Sequence, residues 1–370
     1  MFIVRLFSIT NQLKSTLSIR VIIALYAFCF CMAFFAIYFS QMFYSEKYFF
    51  DANHISRLAE LPYALQLFSP FENTSLVYHF FGLNNVVFFQ KISLLLFFIY
   101  LLITARDVIC ALIFTVLFSP CMIYLSIPTK EIIVGLFFVA LVFFQNSSNR
   151  LFVGVISVFL FSYALLFRNY YCIIGLIFIT RYLIAFLNEL FEKKIILILG
   201  SLVTFFVFLV FKHQVLGILD RLVNIRNHLS LFRMGSDSAM SAFVNHDYTN
   251  YTTINFLMNY IVSAFHMLFP WVFYLNFKSL VLFILNLVTF NLCYLQLRSS
   301  SFKQRALAWL FLSHFFTSVI FEPDLGSYIR HQSVFMFVII FPLIDNDRFR
   351  QFFSLRLNKL INFSNADMIR

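Results

Sequence analysis

Long apolar runs, separated by short stretches of charged and turn-forming residues, make up most of this chain. The runs fall at about 21–43, 86–105, 107–126, 131–146, 151–167, 171–188, 195–215, 279–297, 305–321 and 328–346. A helix of about 20 apolar residues spans a bilayer, where the backbone has to satisfy its own hydrogen bonds. The pattern therefore predicts an all-α fold: a polytopic transmembrane helical bundle of about ten spans, with residues 1–370 forming one transmembrane domain.

The stretch 251–276 decides between ten and eleven spans. It is apolar, but His266 and Pro270 interrupt it. As a helix in the outer interface it leaves ten spans and puts the basic turn 298–305 inside, where Lys and Arg are enriched in membrane proteins. As an eleventh span it would put that turn outside. We therefore expect ten spans and two cytoplasmic termini, with larger outer loops at about 44–85 and 216–278.

The composition supports a membrane protein. Phe occupies 56 of 370 positions, and charged residues make up 12%, against about 25% in soluble domains. Basic inner turns account for most of the net charge of +11, so we expect membrane lipids and no nucleic acid as partners. The six cysteines lie inside apolar runs without metal-ligand spacing, so they are interpreted as core residues and no metal site or cofactor is expected.

Ionisable residues collect at the outer ends of the predicted spans, where charge near membrane depth usually marks function. One group lies in the turn Ile127-Pro128-Thr129-Lys130-Glu131, a second in Phe167-Arg168-Asn169-Tyr170-Tyr171, and a third around Glu322 to Gln332. The cationic set is Lys130, Arg168 and Arg330, with His331. The acidic set is Asp51, Glu131, Glu322 and Asp324.

Each of these groups also has a simpler interpretation. Lys130 and Glu131 could form a local ion pair at a helix start, Arg168 could extend to lipid head groups, and Asp51 could lie in a solvated loop. Taken together, however, cations in a low-dielectric cleft favour binding of a polyphosphate. A neighbouring carboxylate could then accept a proton from an attacking hydroxyl.

Three short motifs resemble those of Wzy-type polysaccharide polymerases. The turn Pro128-Thr129-Lys130-Glu131 resembles their "PSKE"-like turn, with Thr in place of Ser, and Phe167-Arg168-Asn169-Tyr170 resembles their "(F/L)R-x-Y" step. The segment from Gly326 to Gln332 is similar to their "G-T/S-x-x-R-H/Y" element, although Gln332 stands where Arg is common. His266 also stands where Arg often precedes the "L-F-P" step.

The resemblance implies an enzyme of the bacterial inner membrane, a metal-independent glycosyltransferase that polymerises O-antigen or capsule repeat units at the periplasmic face. Its donor and acceptor would be undecaprenyl-pyrophosphate-linked glycans, with a chain-length regulator as a candidate partner. The implied pyrophosphate-binding residues are Lys130, Arg168, Arg330 and His331. The candidate proton acceptors are Asp324, Asp51 and Glu131, in that order, and the candidate sugar-stacking rings are Tyr170, Tyr171 and Tyr328.

Two other functions remain open at this point. A lipid-sugar-dependent glycosyltransferase that adds one sugar would share the pyrophosphate site and the acidic first loop. A repeat-unit flippase or other transporter would require pseudo-symmetric halves and broken helices near the midplane, and neither is visible in the sequence.

Overall fold

The structure, a computed structural model, describes residues 19–43, 49–61, 65–67, 69–105, 108–144, 147–190, 253–322 and 325–340. Regular structure within these stretches is entirely helical, which confirms the predicted all-α class. The predicted span 195–215 and the part of the long outer segment up to residue 252 lie outside the described residues, as do both ends of the chain.

Thirteen α-helices lie within the described residues. They are α1 (Ile19–Phe43), α2 (Phe50–Ala59), α3 (Pro70–Phe81), α4 (Leu83–Thr104), α5 (Val108–Tyr124), α6 (Ile132–Ala140), α7 (Asn149–Leu166), α8 (Tyr171–Leu190), α9 (Thr253–Leu268), α10 (Pro270–Phe273), α11 (Phe277–Leu297), α12 (Phe302–Phe321) and α13 (Leu325–Ile340). A 3₁₀ turn, Leu141–Phe144, continues α6.

Several helices are long and apolar enough to cross a bilayer. Four such segments lie in α1, α4, α7 and α11, and shorter apolar helices form α5 and α8. Large apolar side chains on their outer surfaces are exposed, among them Ile23 at 63% and Phe89 at 65%. An apolar surface of this extent is the kind that a bilayer covers. These are the features of a membrane protein.

The first outer loop, predicted at 44–85, contains two helices that the span analysis did not identify. In α2 the buried residues Ala52, Ile55 and Ala59 recur at helical spacing on one face, and α3 begins with Pro70 at its first turn, a favoured position. Gly82 then has a φ of 81°, which a glycine adopts without strain. The chain can therefore turn directly from α3 into α4.

The final helix, α13, lies at the centre of the bundle. Every residue from His331 to Ile340 is buried, and α13 packs against α5, α6, α11 and α12. Within α5, Pro120 has no N–H to donate to the carbonyl of Val116, and the Ser119 hydroxyl donates to that oxygen instead at 2.9 Å. The helix therefore stays continuous beside α13.

Lys303 ties two turns together at the end of the bundle opposite the predicted outer motifs. Its Nζ donates to the carbonyl oxygen of Phe144 at 3.3 Å and also to that of Ser147. The turn between α6 and α7 therefore lies beside the turn between α11 and α12. A charged ammonium stabilises such carbonyl groups at the end of a helix.

The predicted interruption of 251–276 is present in the structure. Helix α9 ends at Leu268 and α10 begins at Pro270. His266, just before this break, is buried and stacks on Phe273 with ring centroids 3.8 Å apart. The segment is thus two consecutive helices rather than one continuous helix.

Candidate functional site

Seven ionisable side chains meet at the end of the bundle that the sequence predicts to be outer. We call them the charged cluster: Asp51, Lys130, Glu131, Arg168, Glu322, Arg330 and His331. They come from α2, from the turns between α5 and α6 and between α7 and α8, from the residue that follows α12, and from α13. Because each turn is short, the helix pairs hold these side chains in fixed places.

Two tyrosine hydroxyls hold the backbone of the turn between α5 and α6. The Thr129 amide donates to the Tyr78 hydroxyl at 3.1 Å, and Gln90 donates to the same oxygen at 2.9 Å. On the other side, the Tyr163 hydroxyl donates to the Lys130 carbonyl at 3.0 Å. The buried polar backbone of this turn is thereby paired, as its low exposure requires. This arrangement fixes the direction of Lys130 and Glu131.

Arg168 and Glu131 form the most deeply buried ion pair of the cluster. Arg168 Nη2 lies 2.6 Å from Glu131 Oε1, and the two side chains are 7% and 3% exposed. Arg168 Nη1 donates to the Tyr170 hydroxyl at 2.5 Å and to Nε2 of His331. The other oxygen of Glu131 accepts from the Thr129 hydroxyl. Hydrogen bonds and ion pairs of this kind offset the cost of burying the two charges.

Glu322 and His331 form a second buried pair across the connection from α12 to α13. His331 Nδ1 contacts Glu322 Oε1, so this nitrogen carries a hydrogen and donates it to the carboxylate. The Nε2 atom then accepts from Arg168 and lies 3.2 Å from Glu131 Oε1. Glu322 therefore orients the imidazole, and the imidazole in turn holds the guanidinium of Arg168.

Arg330 and Asp51 form the most exposed part of the cluster, and the buried Lys130 lies beside them with 9% of its side chain exposed. Lys130 Nζ and Arg330 Nη1 lie 3.2 Å and 2.8 Å from the same oxygen, Asp51 Oδ2. The side chains of Arg330 and Asp51 are 22% and 23% exposed, and Lys130 Nζ also lies 3.6 Å from the centre of the Phe71 ring. A ligand that approaches the cluster reaches Arg330 and Asp51 first, and Lys130 lies next to them.

The surroundings of Asp51 and Lys130 lower the pKa of both side chains. Asp51 is therefore kept ionised, and Lys130 loses its proton at a lower pH than an ordinary lysine. Burial alone would raise the pKa of Asp51, but Arg330 and then Lys130 outweigh it and hold this pKa below its ordinary value. Burial, and next the positive charge of Arg168, lower the pKa of Lys130 to about 8. Apart from His331, three cations face three carboxylates in the cluster.

The structure brings most of the sequence-predicted site residues together. Lys130, Glu131, Arg168, Arg330, His331 and Asp51 all belong to the charged cluster. Tyr170 borders it through its hydrogen bond with Arg168. The predicted proton acceptor Asp324 lies outside the described residues.

The three predicted sugar-stacking rings differ in their accessibility. Tyr171 and Tyr328 are 2% and 0% exposed, so neither offers a ring face to a sugar, and both pack inside the bundle instead. Tyr170 is partly buried and stacks on Phe321 with ring centroids 5.4 Å apart. Of the three, Tyr170 is therefore the one that remains in a position to contact a glycan.

The residues that hydrogen-bond the backbone of the turn between α5 and α6 were missed by sequence reasoning. Tyr78, Gln90 and Tyr163 were not singled out, although Gln90 is a polar residue within an apolar run and a buried amide needs a partner. Glu322 was recognised as an outer carboxylate, but its pairing with His331 was not foreseen.

Within the described stretches no group of three or more His, Cys, Asp or Glu side chains is arranged to hold a metal ion. Comparisons with models of known protein families, with curated proteins and with solved structures found no match. The functional assignment therefore rests on the charged cluster and on the motifs that build it.

Proposed function

We propose that this protein is a membrane glycosyltransferase that joins lipid-pyrophosphate-linked oligosaccharide repeat units at the outer face of the bacterial inner membrane. The observation that carries the proposal is the pair of cations Lys130 and Arg330, with the partly exposed Asp51 carboxylate between them. Cations suited to phosphate oxygens and a carboxylate suited to a proton are both needed for this reaction. The three Wzy-like motifs contain five of the seven residues of the charged cluster and support the same assignment; these are Lys130, Glu131, Arg168, Arg330 and His331.

The proposal includes a topology of ten spans with both termini in the cytoplasm and the charged cluster outside. The contact of Lys303 with Phe144 and Ser147 supports it. In strict alternation the turn between α6 and α7 and the turn between α11 and α12 share a side only if the number of spans between them is even. The ten-span arrangement meets this condition, whereas an eleventh span at 251–276 does not.

In this proposal some residues of the cluster bind the substrate, and others hold the binding residues in position. Lys130 and Arg330 contact the pyrophosphate of the donor, because Arg330 is the most exposed cation of the cluster and Lys130 lies beside it on the same oxygen of Asp51. Arg168, together with Glu131, Glu322 and His331, forms the buried network behind them and keeps Arg330 in place. Tyr170 lies at the edge of this network, where a sugar of the donor or acceptor can pack.

The reaction itself is a substitution at the anomeric carbon of the donor glycan. A hydroxyl oxygen of the acceptor sugar forms the new C–O bond and gives up its proton to a base. The bond between the anomeric carbon and the pyrophosphate oxygen breaks, and its electron pair leaves with the lipid pyrophosphate. Lys130 and Arg330 stabilise the charge that develops on this leaving group.

The test is complementation of a deletion strain, read on a gel of surface polysaccharide. The wild-type gene should restore the ladder, whereas Arg330→Ala should leave glycans of one repeat unit. Arg57→Ala is the matched control, since Arg57 is an exposed arginine of α2 outside the cluster. If the deletion strain itself makes no glycan at all, the protein acts at an earlier step, as a single-sugar transferase or a flippase would.

A further inference from the structure

A single carboxylate oxygen lies between the cations Lys130 and Arg330. Lys130 Nζ and Arg330 Nη1 both point at Asp51 Oδ2, at 3.2 Å and 2.8 Å. These two residues come from the turn after α5 and from α13, whereas Asp51 comes from the first turn of α2. The anion-binding site is therefore built by the bundle and filled by a residue of the first outer segment.

Asp51 uses only part of the hydrogen-bonding capacity of Arg330. Arg330 Nε is buried and has no hydrogen-bond partner among the described residues, with Glu131 Oε1 3.9 Å away. Arg330 Nη2 lies 3.4 Å from His331 Nε2, a long distance for a hydrogen bond. A guanidinium binds phosphate through two parallel hydrogen bonds, so a phosphate group would use donors that Asp51 leaves unused.

The attachment of Asp51 allows it to be displaced while α2 stays in place. The face of α2 that carries Ile55 and Ala59 packs against Tyr78 and Ile132, and this packing does not involve the carboxylate. Asp51 is about one quarter exposed, so a change of side-chain rotamer can move it toward solvent. Its two ion pairs are the interactions that this movement breaks.

We propose that Asp51 occupies the place of the substrate's phosphate in the free protein, and that arrival of the phosphate releases its carboxylate to serve as the proton acceptor. The inference rests on the proposed function, since it assigns the base in the same site. The acceptor hydroxyl's proton passes to Asp51, its oxygen bonds to the anomeric carbon, and the electron pair of the broken C–O bond leaves with the lipid pyrophosphate.

The exchange makes the carboxylate a better base at the moment when a base is needed. In the free protein Arg330 and Lys130 stabilise the ionised form of Asp51 and so reduce its affinity for a proton. When the phosphate takes these two cations, that stabilisation is lost, and the nearby negative charge disfavours the ionised carboxylate further. The free site, by contrast, keeps its base inactive until the donor is bound.

The test measures binding of farnesyl pyrophosphate to the purified full-length protein in detergent micelles. If Asp51 competes with the phosphate, Asp51→Asn removes the competitor, and affinity for the probe should increase about tenfold, the effect of losing two partly exposed ion pairs. Glu60→Gln, at an exposed acidic residue just after α2, should leave affinity unchanged. Asp51→Ser provides a second variant without the charge and should bind as tightly as Asp51→Asn.

We expect Asp51→Asn to combine tighter binding of farnesyl pyrophosphate with loss of catalysis. Asp51→Asn should fail to restore the polysaccharide ladder in the deletion strain, although it binds the probe better than the wild type does. Unchanged or weaker binding in both Asp51 variants, while Arg330→Gln abolishes binding, would overturn the exchange and leave the proposed function standing. If wild type and all variants bind no probe, the pyrophosphate site fails and the proposed function fails with it.

Discussion

The buried pair Arg168–Glu131 should be essential to the stability of the outer end of the bundle. Its atoms lie 2.6 Å apart with less than one tenth of either side chain exposed. Removing one partner leaves the other charge buried and uncompensated, which costs about 3–5 kcal/mol. We therefore expect Arg168→Met and Glu131→Gln each to lower the melting temperature of the detergent-solubilised protein by about 5 °C or more.

The double variant separates the ion pair from the rest of the network. Arg168→Met combined with Glu131→Gln leaves no unpaired charge, so the loss of stability should be clearly smaller than the sum of the two single losses. Arg57→Ala, at an exposed position, should change stability by no more than about 0.5 kcal/mol. Additive losses in the double variant, or a melting temperature of Arg168→Met equal to that of the wild type, would refute the buried pair.

Three further predictions follow from the geometry of the cluster and the turns. Arg168→Lys should abolish polymer as completely as Arg168→Ala in the complementation assay. The reason is that Arg168 uses two nitrogens to bind three partners, whereas a lysine side chain has one nitrogen. A normal ladder from Arg168→Lys would contradict this prediction. Because the pKa of Lys130 is lowered to about 8, its positive charge is present below that pH and is lost above it. The affinity for farnesyl pyrophosphate should therefore fall as the pH rises through about 8. Lys130→Arg stays charged and should remove this decrease, whereas equal pH profiles of the two proteins would rule out Lys130 as a ligand. In a cysteine-free background, single cysteines at the exposed positions Asn169 and Ser300 should react with an impermeant thiol reagent from opposite sides of the membrane, and labelling from the same side would refute the ten-span topology.

The fold could be predicted from the sequence wherever it depends on local pattern. The length and spacing of the apolar runs identified the helices from α4 to α8, and Pro270 marked the break after α9. The rotation of each helix about its own axis depends on packing against its neighbours, which spacing alone does not determine. This is why the burial of Tyr171 and Tyr328 was not foreseen.

The candidate site was predictable to a similar extent. Short turns hold Lys130, Arg168 and Arg330 at the ends of apolar helices, so their common location follows from topology alone. The pairing of each cation with a particular carboxylate depends on distances of a few ångströms between helices that are remote in sequence. The length of the apolar runs predicts a loop for the α2–α3 segment, although Ala52, Ile55 and Ala59 recur at helical spacing.

The central claim is that this chain by itself joins lipid-linked repeat units. The most direct measurement incubates the purified full-length protein with one lipid-pyrophosphate-linked oligosaccharide, which serves as both donor and acceptor, and analyses the products by mass spectrometry. The account predicts glycans of two and more repeat units, with one lipid pyrophosphate released for each bond formed, and no products from Arg330→Ala. Transfer of a single sugar, or recovery of the starting glycan alone from an active preparation that binds farnesyl pyrophosphate, would contradict it.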